Sequence, residues 1–151
     1  MRWLLRLPSL LFRMNLGWLL GARFVELTVR GRKSGSARRV VVEVIGRDSS
    51  GRGLLIASGW GARAQWYRNL EACPRMQAQV GRRRFAAEAT ILDGAEAARV
   101  LRAYARAHSM AYRWFIGPLL LGGRPTGTDD ELARLARAVP VLLVREDGSR
   151  D

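Results

Sequence analysis

The residues of this sequence that are best suited to chemistry lie in one turn, residues 31–39, which is rich in basic side chains, hydroxyls and glycines. Arg32, Lys33 and Arg38 carry positive charge beside the hydroxyl of Ser34, and Lys33 is the only lysine in the chain. The glycines of the turn expose backbone N–H groups, so amide, hydroxyl and guanidinium donors converge on one small volume. Such a turn suits phosphate or carboxylate oxygens, although by itself it is equally typical of a solvated, charged hairpin tip.

Two β-type runs flank this turn and must position it. Val25, Leu27 and Val29 alternate with polar residues before it, and the apolar run of residues 40–45 follows it. Alternation on both sides of a Gly/Ser turn is typical of a hairpin. We therefore expect a β-hairpin to present the basic cluster at its tip.

The rest of the sequence predicts further short strands and helices. The predicted strands are residues 54–58, 76–80, 85–92 and 139–144. The predicted helices are residues 65–72, a helix from the capping box Asp93–Glu96 to about His108, and a short helix capped by Thr128 and Glu131. No repeat or linker interrupts residues 1–151, so we expect one α+β domain, a small antiparallel barrel with helices on its outside.

Composition limits the classes of partner and cofactor. The 151 residues are 48% hydrophobic and 26% charged, which is typical of a globular chain. The net charge of +13 indicates an acidic partner: a nucleic acid, an anionic membrane surface or a polyanionic ligand. Nucleic acid is disfavoured because aromatic residues do not alternate with arginines along a strand. With one cysteine, Cys73, and one histidine, His108, we expect no disulfide, no metal and a cytoplasmic location.

The first twenty residues form a basic, amphipathic pattern. Arg2, Arg6 and Arg13 fall on one narrow face of a predicted helix at about residues 2–20, and Pro8 would kink it. The uncharged stretch of residues 14–22 is far shorter than a membrane span requires. The helix could pack on the barrel, which we favour, or lie on an anionic membrane surface, which would place the protein peripherally at the inner face of the membrane.

Three motifs in this order resemble the deazaflavin-dependent nitroreductase and quinone reductase family. They are Gly31-Arg32-Lys33-Ser34-Gly35, Ala57-Ser58-Gly59-Trp60-Gly61 and Trp66-Tyr67-x-Asn69-Leu70-x-Ala72-x-Pro74. The resemblance covers roughly residues 24–92 and implies a split β-barrel of the FMN-binding type. It also implies the deazaflavin coenzyme F420, whose tail carries a phosphodiester and an oligoglutamate chain, with FMN as the less favoured alternative.

The resemblance assigns cofactor-binding roles residue by residue. It places the phosphate and the first carboxylates on Arg32, Lys33, Ser34 and Arg38. It places the deazaflavin ring against Ala57, Ser58, Gly59, Trp60 and Gly61, although Trp60 stands where relatives often have a small or basic residue. Trp66 and Tyr67 would form the wall of the ring pocket.

The activity implied by the resemblance is an F420H2-dependent reduction. A hydride would pass from reduced deazaflavin to a quinone, a nitro-bearing compound or another conjugated acceptor, and Tyr112, then Tyr67, are the candidate proton donors. His108 is better explained as a helix-terminal residue. The alternative is a non-catalytic deazaflavin- or lipid-binding carrier of the same fold at the membrane surface, and either protein could be a monomer or a homodimer.

Overall fold

The hairpin around the basic turn forms, and its strands are longer than the sequence pattern predicts. The computed structural model describes residues 14, 21–108 and 128–148. Strand β1 (Phe24–Arg30) pairs antiparallel with β2 (Ala37–Arg47), with Arg30 opposite Ala37. The second strand begins three residues earlier than predicted because Arg38 and Arg39 continue the ladder opposite Val29 and Thr28.

The strands close into one antiparallel barrel. After the hairpin come β3 (Leu54–Ala57), β4 (Arg75–Val80), β5 (Arg83–Ile91) and β6 (Val141–Glu146). Their order around the barrel is β1-β2-β3-β6-β5-β4, and every neighbouring pair is antiparallel. Small and branched side chains fill the interior, including Val25, Leu27 and Ile56, which are fully buried. The predicted α+β barrel is confirmed.

Three α-helices lie among the described residues: α1 (Gln65–Ala72), α2 (Gly94–Ala107) and α3 (Asp129–Ala138). The predicted capping residues act as expected, since the side chain of Asp93 accepts from the Glu96 N–H at 2.8 Å. Helices α2 and α3 bury Leu101, Leu132 and Leu135 in a second core. The sequence pattern predicts a strand from residue 139, but β6 begins at Val141. The Val139 N–H still donates to the Leu135 carbonyl at 2.7 Å, so Val139 ends α3 and the strand can begin only after it.

Two sequence-based predictions fall outside the described residues. They are the amphipathic helix at about residues 2–20, with its membrane contact, and the aromatic segment 110–121, which contains Tyr112. Both stay predictions. Among the helices of residues 21–108 and 128–148, none combines the length and the apolar character that a membrane crossing needs.

The turn between β2 and β3 is held by one carboxylate. Asp48 Oδ1 accepts from the Ser50 hydroxyl at 2.7 Å and from the Gly53 N–H at 3.0 Å. Its Oδ2 accepts from Nε and Nη2 of Arg145 on β6, at 3.0 and 2.9 Å. These bonds, led by the one from Ser50, lower the pKa of Asp48 from 3.8 to about 2, against the opposing effect of burial. Asp48 therefore ties the turn to a strand that is distant in sequence.

We expect Asp48 to contribute to acid stability. Because its pKa is lower in the folded than in the unfolded chain, its contribution is complete above about pH 4 and is lost as the pH falls towards 2. Asp48→Asn should lower the free energy of unfolding at pH 7 by about 1–2 kcal/mol and by less at pH 2. Denaturant titrations at both pH values measure this, with the exposed Asp147→Asn as control. An equal loss at both pH values would contradict it.

Candidate functional site

The loop between β1 and β2 is folded tightly by its own hydrogen bonds. The Gly31 N–H donates to the Ser36 carbonyl and the Gly35 N–H to the Gly31 carbonyl, both at 2.8 Å. Gly35 has φ +70°, and a Cβ at Gly31 would lie 2.9 Å from Ser34 Oγ. Both glycines are therefore required by the turn itself, the first by close approach and the second by its backbone conformation.

Helix α1 packs beside this loop and fixes Arg32. The backbone N–H and Nη1 of Arg32 both donate to Oδ1 of Asn69, at 3.2 and 2.9 Å. Nη2 of Arg32 donates to Oε1 of Gln65 at 3.0 Å. Asn69 is only 6% exposed, so the bond to it is shielded from water. Because both partners are neutral amides, they orient the guanidinium without neutralising its charge.

A cleft of about 520 Å³ lies between the loop and α1. Four cations line it, and no acidic residue is found in the described part of the lining. One of the four, Arg39, is 4.0 Å from the buried carboxylate of Glu26. Lys33 and Arg38 are exposed and have no hydrogen-bond or ion-pair partner within residues 21–108 and 128–148. The charge and shape of the cleft thus suit an anion with several charges.

The structure brings the predicted tail-binding residues together in this one cleft. Its walls include all four of them, Arg32, Lys33, Ser34 and Arg38, together with the predicted ring-wall residue Trp66. Trp66 is partly buried against the barrel core and supplies an aromatic wall at the α1 side.

The predicted ring-contact loop, residues 57–61, lies outside that cleft. Ser58 is fully buried, and its hydroxyl donates to the Gly61 carbonyl at 2.7 Å while its N–H donates to the Pro140 carbonyl at 2.9 Å. Gly61 has φ +69°, and a Cβ there would lie 3.0 Å from the Ala138 carbonyl. This loop is therefore held rigidly, and it presents Trp60 with 69% of its surface exposed. Contacts of Ala57, Gly59 and Trp60 with the ring stay a prediction.

Tyr67 lies in the barrel core and does not line the cleft. It is 5% exposed and meets Trp66 edge to face, with ring centroids 6.4 Å apart. Burial raises the pKa of Tyr67, and the nearby Glu71 carboxylate raises it further. The Tyr67 phenol is therefore protonated at neutral pH, and its role as a proton donor stays a prediction.

The sequence patterns predict no role for Gln65 or Asn69, the two residues that hold Arg32. Asn69 belongs to the motif that begins at Trp66, in which the aromatic pair carries the predicted role. The available signal was their spacing, because residues i and i+4 of a helix lie on the same face. A helix that presents two amides on one face can hold a guanidinium, provided that the fold places an arginine opposite it.

The comparisons with known proteins identify a family and a fold. The family model of the F420H(2)-dependent quinone reductases matches residues 12–115. The structure of an F420-H2 dependent reductase, FDR-A, is 22% identical with a TM-score of 0.55, over 82% of this chain and 94% of that one. No curated protein sequence matches the chain.

Two further solved structures share the fold. A pyridoxamine 5′-phosphate oxidase-related, FMN-binding protein from Nostoc punctiforme is 17% identical with a TM-score of 0.55, over 91% of this chain and 77% of that one. A structure described as a domain-swapped dimer is 21% identical with a TM-score of 0.55, over 91% and 99%. At these identities the likeness establishes the split-barrel fold.

The N–H groups of Gly31, Arg32, Gly35 and Ser36 are bonded within the protein, so the expectation that the turn exposes them is wrong for these four. The side chains of the cleft still suit the F420 tail, because four cations and the Ser34 hydroxyl line a volume that would receive a phosphodiester and glutamate carboxylates. The family match covers more than half of the chain, including the hairpin and α1. The chain therefore belongs to the F420H2-dependent quinone reductase family, and it is an oxidoreductase that uses coenzyme F420.

Proposed function

We propose that the cleft between the β1–β2 loop and α1 binds the anionic tail of F420 and thereby orients the cofactor for reduction of a quinone. The observation that carries this proposal is the Arg32 guanidinium, held by Asn69 and Gln65 at 2.9 and 3.0 Å with its charge left intact. A cation that is fixed in advance loses little side-chain entropy when it binds an anion.

The residues of the cleft have distinct roles in this proposal. Arg32 contacts the phosphodiester, because its planar fork suits two phosphate oxygens. Lys33 and Arg38, at the exposed rim, contact the phosphate and the first glutamate carboxylates. Ser34 contributes a hydroxyl donor, although its Oγ also accepts from the Ser36 N–H at 3.2 Å. Together they fix the position of the tail.

Orientation and exclusion of water are the protein's contributions to the reaction. The bound cofactor supplies the hydride. Trp66 forms an apolar wall beside the cationic cleft, and the rigid loop of residues 57–61 offers small residues against which a flat ring could pack closely. Burial of Tyr67 keeps its phenol protonated in the core beside Trp66. Proton delivery to the reduced acceptor is assigned, as a proposal, to Tyr112, and to Tyr67 in second place.

The proposed acceptors are quinones first, then nitro-bearing and other conjugated compounds. All of them accept a hydride at an electron-poor conjugated system, so one orientation of the cofactor serves each of them. The alternative, a non-catalytic carrier, would bind F420 through the same cleft but would not turn over.

We expect Lys33→Ala and Arg38→Ala to weaken F420 binding with little effect on the fold. Each removes one charge-assisted contact, which corresponds to roughly tenfold in the dissociation constant at low salt. Both residues are exposed, so the free energy of unfolding should change by at most about 0.5 kcal/mol. Fluorescence titration of F420 and thermal unfolding measure the two effects.

Arg134→Ala on α3 is the matched control, because it removes one exposed arginine outside the cleft. It should leave F420 affinity unchanged apart from a small effect of net charge. FMN, with one phosphate and no glutamate tail, should bind more weakly than F420, and added salt should reduce this preference. A lower melting temperature with unchanged F420 affinity would show that Lys33 and Arg38 are structural.

The amide partners of Arg32 permit a test of charge separately from geometry. Asn69→Asp keeps the shape of the side chain and an acceptor for Arg32, but it neutralises the guanidinium. We expect the melting temperature to be maintained and F420 affinity to fall roughly tenfold. Asn69→Leu should lower both, because it leaves the partly buried Arg32 N–H unpaired. Unchanged F420 affinity in Asn69→Asp would contradict the proposed role of Arg32.

We expect the wild-type protein to oxidise reduced F420 when a quinone is added. The measurement is the return of the oxidised cofactor's absorbance, with a benzoquinone, a naphthoquinone and a nitroaromatic compound compared at equal concentration. Lys33→Ala should require more cofactor for half-maximal rate and reach a similar maximal rate, since it acts on binding. Tight binding of F420 without turnover of any acceptor would favour the carrier.

A further inference from the structure

A separate cavity of about 310 Å³, here called the outer cavity, lies on the outer face of the barrel. Glu26 and Thr28 of β1 line it, and they alternate with the buried core residues Val25 and Leu27, so their side chains point out of the barrel. The other polar lining residues come from β2, β4 and β5: Arg39, Gln77, Gln79 and Arg84. Of the described lining residues, Arg39 alone is shared with the first cleft, so the F420 proposal leaves the outer cavity unexplained.

Glu26 is the unusual residue of the outer cavity. Side chains on the outer face of a barrel are normally solvated, yet Glu26 is only 5% exposed. Its Oε1 lies 4.0 Å from Nη1 of Arg39, which is too long for a hydrogen bond. Within residues 21–108 and 128–148 no other group pairs with this carboxylate. Because a buried carboxylate is costly unless donors surround it, Glu26 favours a ligand that brings a cationic donor.

The opposite wall of the outer cavity carries a positive charge that is held in place. In the sheet, Gln79 of β4 lies between Glu26 and Arg84 and pairs with each of them. Oε1 of Gln79 accepts from Nε of Arg84 at 2.7 Å, and Nε2 of Gln79 donates to the Gly81 carbonyl at 3.0 Å. Because Gln79 is a neutral amide, it orients the guanidinium and leaves the positive charge intact.

We propose that the outer cavity binds a free α-amino acid with a polar, uncharged side chain. The ammonium group of the ligand would donate to Glu26, and its carboxylate would accept from Arg84 and Arg39. Thr28 and Gln77 supply a hydroxyl and an amide for the ligand's side chain. This site is additional to the F420 cleft and does not depend on the proposed function.

The spacing of the two charged walls fits a zwitterion. Glu26 and Arg84 lie on strands that are separated by β4, so their backbones are about 10 Å apart. The ammonium nitrogen and the carboxyl carbon of an α-amino acid are about 2.5 Å apart, and a charge-assisted hydrogen bond adds about 2.8 Å at each end. An α-amino acid can therefore bridge the two side chains, whereas a simple cation would contact Glu26 alone.

Charge and volume disfavour the other occupants. Two arginines line the outer cavity against one glutamate, and the chain carries a net charge of +13, so a ligand without a negative group is repelled. The same net charge repels a second copy of the chain. A volume of about 310 Å³ is at the lower end of small-molecule pockets, which favours a single amino acid over a peptide.

The test is a calorimetric titration of L-glutamine into the full-length protein. Two derivatives are compared with it: N-acetyl-L-glutamine, which lacks the ammonium group, and L-glutaminamide, which lacks the carboxylate. We expect saturable binding of one L-glutamine per chain. Each derivative should bind roughly tenfold more weakly, because each loses one charge-assisted contact.

Two variants separate the contributions of the walls. Glu26→Gln keeps the shape of the side chain and removes its charge, so it should abolish the preference for L-glutamine over the N-acetyl derivative. Arg84→Ala should abolish the preference over L-glutaminamide. The matched controls are Glu88→Gln and Arg106→Ala, at exposed positions that line neither cavity, and both should keep the two preferences. F420 affinity should be the same in Arg84→Ala as in Arg106→Ala.

Three results would overturn the amino-acid site. The first is a folded wild-type protein that does not bind L-glutamine or that binds all three compounds equally. The second is an unchanged preference in Glu26→Gln and Arg84→Ala, with thermal unfolding verifying the fold; if Glu26→Gln does not fold, the exposed Arg84→Ala decides. The third, by sedimentation, is a wild-type dimer that Glu26→Gln dissociates, because an arginine of a second copy would then occupy the cavity.

Discussion

The bond between Arg32 and the buried amide of Asn69 joins the two parts of the site, the hairpin loop and helix α1. Oδ1 of Asn69 accepts hydrogen bonds from both the backbone N–H and Nη1 of Arg32, so the same atom fixes the loop and the guanidinium. A carboxylate would hold the arginine more strongly, but it would cancel the charge that an anionic ligand needs. Because the Asn69 amide is neutral, it fixes Arg32 and leaves the charge of the guanidinium available to an anionic ligand.

The barrel gives this contact its rigidity. The hairpin carries the basic loop on strands whose inward residues, Val25, Leu27 and Val29, are almost fully buried, so the loop inherits the stability of the core. Helix α1 contributes Tyr67 and Leu70 to the same core. Residues that pack the interior therefore determine how far the cations of the cleft lie from its aromatic wall.

Two loops around the site are each held by hydrogen bonds of their own glycine and serine residues. The loop of residues 31–36 is closed by bonds from Gly31 and Gly35, and the loop of residues 57–61 by bonds from Ser58 and to Gly61. In both, a glycine has positive φ and the side chain of a serine completes the turn. Loops that satisfy their own backbone groups can expose cationic or aromatic side chains to a ligand without becoming disordered.

The sequence alone determined the elements and the nature of the ligand. Alternating apolar residues predicted the hairpin and capping boxes predicted α2 and α3, because these signals are local along the chain. The motifs Gly31–Gly35, Ala57–Gly61 and Trp66–Pro74 resemble those of F420-binding split barrels, and the family match confirms that resemblance. The tertiary structure decided which residues meet. The pairing of Arg32 with Asn69, 37 residues away, and the placement of Lys33 and Trp66 in one cleft depend on barrel closure and strand order, which no local pattern encodes.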